Sequence, residues 1–207
     1  MPRAQPPPPS EVRLELPDAD VRLWPGVFGR PEADALQAAL RTSIRWQQEE
    51  ILIFGRRQLV PRLVAWYGDP GTAYTYSGTQ HQPLPWTAEL AAIKARVQEV
   101  TGHEFNSVLL NLYRDGRDGM GWHADDEPEL GREPVIASLS LGCARLFKLR
   151  HRRHRNQVFT IALQHGDLLL MAGGTQHNYV HAVPKTARPM GERINLTLRR
   201  VRPPAGT

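Results

Sequence analysis

The chain has 207 residues, 41% of them hydrophobic and 23% charged. That suits one globular domain with a sizeable core and excludes a disordered chain. No apolar run approaches the about 20 residues of a membrane-spanning helix, the first ten residues are not a secretory leader, and the lone Cys143 excludes both an internal disulfide and a cysteine zinc cluster. The expected compartment is a reducing cytoplasm. Lys and Arg number 26 against 21 Asp and Glu, a net charge of +5, and only Lys94, Lys148 and Lys185 are lysines. An arginine excess fits a polyanion partner. A codon bias towards Arg would give the same count without one.

In chain order, residues 1–10 form a proline-rich tail that should be extended and mobile, ahead of one domain over 11–207. A first helix follows Gly29-Arg30, with Pro31 in its first turn and Leu36, Leu40 and Ile44 on one face. Residues 49–77 read as strands and loops feeding the core. A second helix starts at Thr87, carries Leu90, Ile93, Val97 and Val100 at helical spacing, and stops at Gly102. Short β-like runs then cover 106–113, 121–125, 134–141, 145–151, 157–163, 167–171, 177–183 and 193–200. The predicted fold is mainly β with flanking helices, a jelly roll with both helices outside one sheet.

Two segments have the form His-x-Asp. On a strand, residues i and i+2 share a face, so such a pair offers an imidazole and a carboxylate to one metal. A distant second histidine completes the two-His, one-carboxylate set that suits non-haem Fe(II) oxygenases. His165-Gly-Asp167 precedes the run Leu168–Met171 and reads as a turn opening a buried strand. His123-Ala-Asp125, entered through Gly116, Gly119 and Gly121, is the preferred pair. The second histidine must come from His151, His154, His165, His177 or His181. His151 and His154 sit in a basic run that reads as a solvated turn. His177 and His181 share one candidate strand, and periodicity does not separate them.

In the last strand Arg193, Asn195, Thr197 and Arg199 alternate with Ile194, Leu196 and Leu198. Four polar groups on one face fit either a solvated surface or an interior dicarboxylate site, since Arg pairs bidentately with carboxylates. Asn111 and Tyr113 share a face in the same way.

The set Asn111-x-Tyr113, His123-x-Asp125-Asp126-Glu127, a distal histidine and Arg193-x-Asn195-x-Thr197-x-Arg199 resembles the AlkB family of Fe(II)/2-oxoglutarate dioxygenases. The resemblance spans about 52–200 and is nearest to the branch that repairs duplex DNA. Ile53-Phe54-Gly55, Tyr74-Thr75-Tyr76-Ser77-Gly78 and Ala137-Ser138-Leu139-Ser140 are among the matching segments. It implies a double-stranded β-helix fold. It also implies His181 as the distal ligand, so that His123, Asp125 and His181 hold Fe(II). Arg193, helped by Asn111 and Tyr113, would bind the far carboxylate of 2-oxoglutarate. Arg199 and Asn195 would orient the part nearer the metal.

The implied reaction uses O2, converts 2-oxoglutarate to succinate, and hydroxylates an N-methyl group that leaves as formaldehyde. The implied partner is alkylated DNA, or RNA, acted on by a cytoplasmic monomer with no membrane contact. 1-Methyladenine and 3-methylcytosine are cationic, cannot pair, and are cheap to flip out. Tyr74, Tyr76 and Ser77 would form the base pocket, with Asp126 and Glu127 at the exocyclic amine. Tyr76 departs from the Phe common in that branch. Phe54 matches a wedge that fills the gap left by the flipped base. Arg56, Arg57, Arg62, Arg150, Arg152, Arg153 and Arg155 are candidate phosphate contacts. A protein hydroxylase would need no such arginine rim. A non-catalytic lesion-binding module would not need the His/Asp set.

Overall fold

The structure is a computed structural model that describes residues 10–53, 56–72, 74–76 and 79–202; the side chains of 51–53, 56, 74–76 and 79–81 fall outside the description. The expected proline-rich tail up to residue 9 also lies outside the described residues, as do 203–207.

The first half comprises β1 (Val12–Leu14), β2 (Asp20–Trp24), α1 (Arg30–Ser43), β3 (Glu50–Ile53), β4 (Arg56–Leu59), β5 (Leu63–Gly68), β6 (Tyr74–Tyr76), β7 (Thr79–His81) and α2 (Ala88–Thr101). The second half comprises β8 (Ser107–Tyr113), β9 (Met120–His123), a 3-10 turn at Pro128–Leu130, β10 (Ile136–Gly142), β11 (Arg145–His151), β12 (Val158–Leu163), β13 (Leu168–Ala172), α3 (Thr175–Asn178), β14 (Tyr179–Val183) and β15 (Arg193–Arg199).

A seven-stranded sheet runs β1-β2-β13-β10-β15-β8-β5, and a four-stranded sheet runs β12-β11-β14-β9. Every pairing within them is antiparallel. Two sheets built from strands that alternate between them make the jelly roll expected from the eight runs after residue 105. Of the region 49–77, β5 joins the large sheet, whereas β3–β4 and β6–β7 form separate hairpins. The β1–β2 pair, absent from the sequence reading, extends the large sheet past β13. Its strands are short and their burial does not alternate cleanly, so they carry little periodic signal.

The core has two layers. Leu40 of α1 and Leu90, Ile93 and Val97 of α2 pack on Leu110, Leu112, Leu139, Ile194, Leu196 and Leu198, outside the large sheet. Leu109, Tyr113, Ile136, Phe147, Leu149, Met171 and Val183 fill the space between the sheets. Each fully buried aliphatic here contributes about 1.5–3 kcal/mol. Local signals fix the helix ends. Pro31 sits in the first turn of α1, Thr87 Oγ1 accepts the Leu90 N–H at 3.3 Å, and Gly102 closes α2 at φ 72°.

All seven residues of β15 are buried. The solvated-face reading of its polar residues is therefore corrected. The aliphatic row faces the helices, and Arg193, Asn195, Thr197 and Arg199 project between the two sheets. Period two in a central strand flanked by β10 and β8 permits nothing else.

Candidate active site

β9 and β14 are neighbours, and their register sets His123 opposite His181. Asp125 joins them by a route that strand alternation did not anticipate. β9 stops at His123, and Asp125 lies beyond its end. There its backbone N–H donates to Gln176 Oε1 at 3.0 Å, and that buried side chain holds the irregular segment after β9. One donor atom from each of His123, Asp125 and His181 falls within 4.8 Å of the others.

The His123 tautomer suits a metal. His123 Nδ1 lies 2.9 Å from the Gly121 carbonyl. A carbonyl only accepts, so Nδ1 carries the proton and Nε2 keeps its lone pair. His181 lies edge-on to His123, ring centroids 4.2 Å apart, and stacks on Phe147 at 5.2 Å. Burial lowers His181 to about 3, with the nearby His123 adding to the effect and Asp125 opposing it. Burial also lowers His123, against the pull of Asp125. Burial would raise the Asp125 carboxyl, but Arg199, His181 and His123 outweigh it and hold it at about 2. Arg199 Nη2 is 2.9 Å from Asp125 Oδ1, with both side chains 3% exposed. At neutral pH the site therefore offers two neutral imidazoles and one carboxylate, the deprotonated donors a divalent metal requires.

Beside this set a narrow cleft opens between the sheets, lined by Asn111, Tyr113, Asn195, Thr197, Arg199 and the three metal-type donors, among others. Arg193, two positions before Asn195 on β15, is 1% exposed. It donates one hydrogen bond, from Nη2 to Ser140 Oγ at 2.8 Å. Its Nε and Nη1 make no well-formed hydrogen bond among the described residues. Burial lowers this guanidinium to about 10, Tyr113 pulls the other way, and Arg145 lowers it further. A buried cation left so is costly, and Nη1 with the second hydrogen of Nη2 presents one edge that can take a carboxylate. The Tyr113 ring lies between two guanidinia, 5.4 Å from Arg193 and 5.5 Å from Arg145. Arg145 in turn donates to the carbonyls of Asp115, Asp118 and Pro184, tying the loop before β9 to the end of β14. Asn195 Nδ2 donates to Ser138 Oγ at 2.9 Å and to the Leu139 carbonyl at 3.1 Å, so it is a supporting residue of the strand wall.

Several sequence expectations change. His177 is not on a strand: it lies in α3, and its Nε2 contacts the Arg132 carbonyl outside the site. The helical turn explains why a spacing of four does not place His177 and His181 on one face. His151 is buried rather than part of a solvated turn, and its Nδ1 accepts the backbone N–H groups of Arg153 and His154. Arg62 is also buried, so it is no phosphate contact; its Nε donates to Asn111 Oδ1 at 2.7 Å. His165-Gly-Asp167 forms the expected turn. Asp167 accepts the N–H groups of Gly26 and Gln164, and His165 Nδ1 accepts that of Gly142. Asp126 follows the site, exposed and 2.6 Å from Arg152, and Glu127 comes directly after it, half-buried. Phe54 and Ser77, and the side chains of Tyr74 and Tyr76, lie outside the described residues.

Ser138, Ser140, Gln176, Arg145 and Phe147 join the site without a role expected from the sequence. Ser138 and Ser140 did carry a signal, the same period-two polarity in β10 as in β15. Gln176 carried none, because its contact with Asp125 spans 51 positions.

The sequence model of the 2OG-Fe(II) oxygenase superfamily matches residues 20–199. Alpha-ketoglutarate-dependent dioxygenase alkB homolog 3 of Homo sapiens is 43% identical over 192 residues, covering 88% of this chain and 66% of the human protein. DNA oxidative demethylase ALKBH2 of Mus musculus is 39% identical over 187 residues, covering 86% of this chain and 78% of the mouse protein. The chain thus spans about two thirds of the length of the alkB homolog 3 proteins it matches, 66% for the human and 64% for the rat. The solved structure of OsALKBH1 superposes with a TM-score of 0.61 at 16% identity, covering 91% of this chain and 100% of that one, which supports the fold.

Proposed function

This chain belongs to the AlkB family within the 2OG-Fe(II) oxygenase superfamily, and we propose that it removes N-linked methyl groups from DNA bases by oxidation. The observation that carries the proposal is the meeting of His123, Asp125 and His181 beside a buried Arg193 that has hydrogen-bond donors to spare. The names of the mouse ALKBH2 relative and its human counterpart, which include DNA oxidative demethylase, support the substrate class.

In this reading His123 and His181 bind Fe(II) through neutral imidazole, and Asp125 binds it as carboxylate. Arg199 keeps Asp125 ionised and in place. Arg193 takes the far carboxylate of 2-oxoglutarate, with Tyr113 beside it and Ser140 fixing the guanidinium. Arg62 holds the Asn111 oxygen, which leaves the Asn111 amide N–H groups for the cosubstrate. Bound together, Fe(II) and 2-oxoglutarate supply the oxidising power, with O2 giving one atom to succinate and one to the methyl C–H bond as CO2 departs. The resulting hydroxymethyl amine breaks its N–C bond to release formaldehyde and the repaired base. Phe147, Met171 and Leu109 line the apolar side of the cleft and keep water from competing for the donors. Asp126, paired with Arg152, and Glu127 come directly after the metal set and are the proposed contacts for the exocyclic amine of the base. Tyr74, Tyr76 and Ser77 complete the proposed base pocket, and Phe54 the wedge.

The test is to load the protein with Fe(II) and 2-oxoglutarate without oxygen, then admit air with an oligonucleotide carrying 1-methyladenine or 3-methylcytosine. Formaldehyde and succinate should appear in equal amounts. No formaldehyde from any methylated nucleic acid would reject the proposal.

A further inference from the structure

We propose that the outer face of the four-stranded sheet is a second nucleic-acid surface, which carries the single-stranded flank of the strand whose base occupies the cleft. This rests on the nucleic-acid reading above and extends it to a site on the opposite face of β9 and β11. Four observations meet there.

Charge is the first. Between residues 134 and 191 the sequence holds one acidic residue, Asp167, and that carboxylate is buried in its turn. The same stretch holds eight Lys and Arg, of which Arg145 is buried and Arg152 is paired with Asp126. Strands β9, β11, β12 and β14 contain no Asp or Glu. A face of one sign keeps its full attraction for a polyanion.

Orientation is the second. Phe147, Leu149 and His151 of β11 point into the core, so Leu146, Lys148 and Arg150 point outward. Lys185 and Arg188 follow β14 and are exposed. No ion pair engages Lys148, Arg150, Lys185 or Arg188 among the described residues.

The third is an aromatic platform. Trp122 is 40% exposed, the most exposed of the five tryptophans, and the Arg150 guanidinium lies over its ring at 4.3 Å. It neighbours His123 in sequence but faces the other side. Exposed aromatic rings beside cations are how proteins hold unpaired bases without reading sequence. A duplex hides its base faces, so a ring here favours a single strand.

The last is a continuous channel. A groove bounded by Leu146, Lys148, Lys185 and Arg188 shares Lys148, Pro184 and Lys185 with another that reaches Trp122. Beyond Arg150 the path continues to Arg155, past Arg152, whose charge is taken up by Asp126 next to the metal set. A strand leaving the cleft therefore has a cationic path to follow.

The test compares the full chain with the triple variant Lys148→Ala, Lys185→Ala, Arg188→Ala, all surface positions. Binding of unmodified oligothymidylates of about 4 and about 20 nucleotides is read by fluorescence anisotropy between about 50 and 200 mM salt. The longer strand should bind the parent more tightly than the shorter one. The variant should lose about tenfold on the longer strand alone, with the log–log salt slope shallower by about 2, near 0.7 per cation removed. Turnover of a methylated tetranucleotide should be unchanged in the variant. Binding of the longer strand should quench tryptophan fluorescence in the parent and not in Trp122→Phe. Equal affinities and slopes for parent and variant would overturn the surface, even if methylated oligonucleotides are demethylated. Equal variant sensitivity with duplex, or with polyglutamate, would overturn the single-stranded occupant. Variant-sensitive binding without turnover on any methylated strand would uphold this surface and reject the demethylase reading instead.

Discussion

Arg193 shows how one side chain can be worth more for what it lacks than for what it touches. Its one well-formed bond, to Ser140, leaves the Nη1 edge for a ligand, with Tyr113 alongside, in a place water hardly reaches. A lysine there keeps the charge and loses the planar fork. Arg193→Lys should raise the KM for 2-oxoglutarate by about tenfold or more, because a hydrogen bond to a charged group is worth about 1.5–3 kcal/mol. An unchanged KM in a 2-oxoglutarate titration would place the carboxylate elsewhere. The metal-type donors make a prediction about pH. In metal-free protein His181 sits at about 3, against 6.5 for the free residue, and Asp125 at about 2, against 3.8. Below 6.5 the unfolded chain takes up a proton that folded His181 refuses, so stability should fall as pH drops from 6.5 towards 3. Asp125 adds to the loss below 3.8, since its depressed value stabilises the folded form only above that range. Melting temperature against pH, measured with chelator present, should slope down through this window, and His181→Gln should flatten the portion from 6.5 to 3.8. A flat profile in the parent would contradict the burial of a neutral imidazole.

At the scale of elements, the strands after residue 105 were legible because each is a short run with hard stops around it. In β15 the alternation even showed that four polar side chains share a face. What it could not show was which way that face looks, because burial of both faces depends on β8 and β10 lying alongside. The His-x-Asp pair was legible for a reason only half physical. Its residues do converge, but through an irregular segment held by Gln176 rather than through strand geometry. His177 shows the opposite failure, where one helical turn breaks a period that looked continuous. Turns themselves can be tested. Gly166 has φ +85°, and a Cβ there would collide with the Phe28 carbonyl oxygen, whereas Gly102 at φ +72° faces open space. Gly102→Ala should cost about 1 kcal/mol of conformational strain, and Gly166→Ala at least about 3 kcal/mol, because backbone must move as well. Urea unfolding of both variants measures this, and equal losses would contradict the close approach.

At the scale of the molecule, the site sits where the two sheets face each other, each supplying half. β9 and β14 of the small sheet bring the metal-type donors, and β8, β10 and β15 of the large sheet bring the proposed carboxylate site. Helices α1 and α2 back the large sheet and free its inner face for polar work. The sequence announced the two sheets by strand count. It could not announce their division of labour, since partners such as Arg62 and Asn111 lie 49 positions apart. Nor could it show that the small sheet leaves a cationic outer face beside the one that holds His181.

The account stands or falls on whether those three donors bind one metal and the neighbouring guanidinium binds the keto acid. Anaerobic calorimetric titration with Fe(II), followed by 2-oxoglutarate, measures this most directly. One Fe(II) should bind per chain, 2-oxoglutarate should bind tightly only after it, and His123→Ala, Asp125→Ala or His181→Ala should each abolish the metal step while Arg193→Met weakens only the second. Full metal stoichiometry in His181→Ala, or 2-oxoglutarate binding indifferent to Arg193→Met, would contradict it.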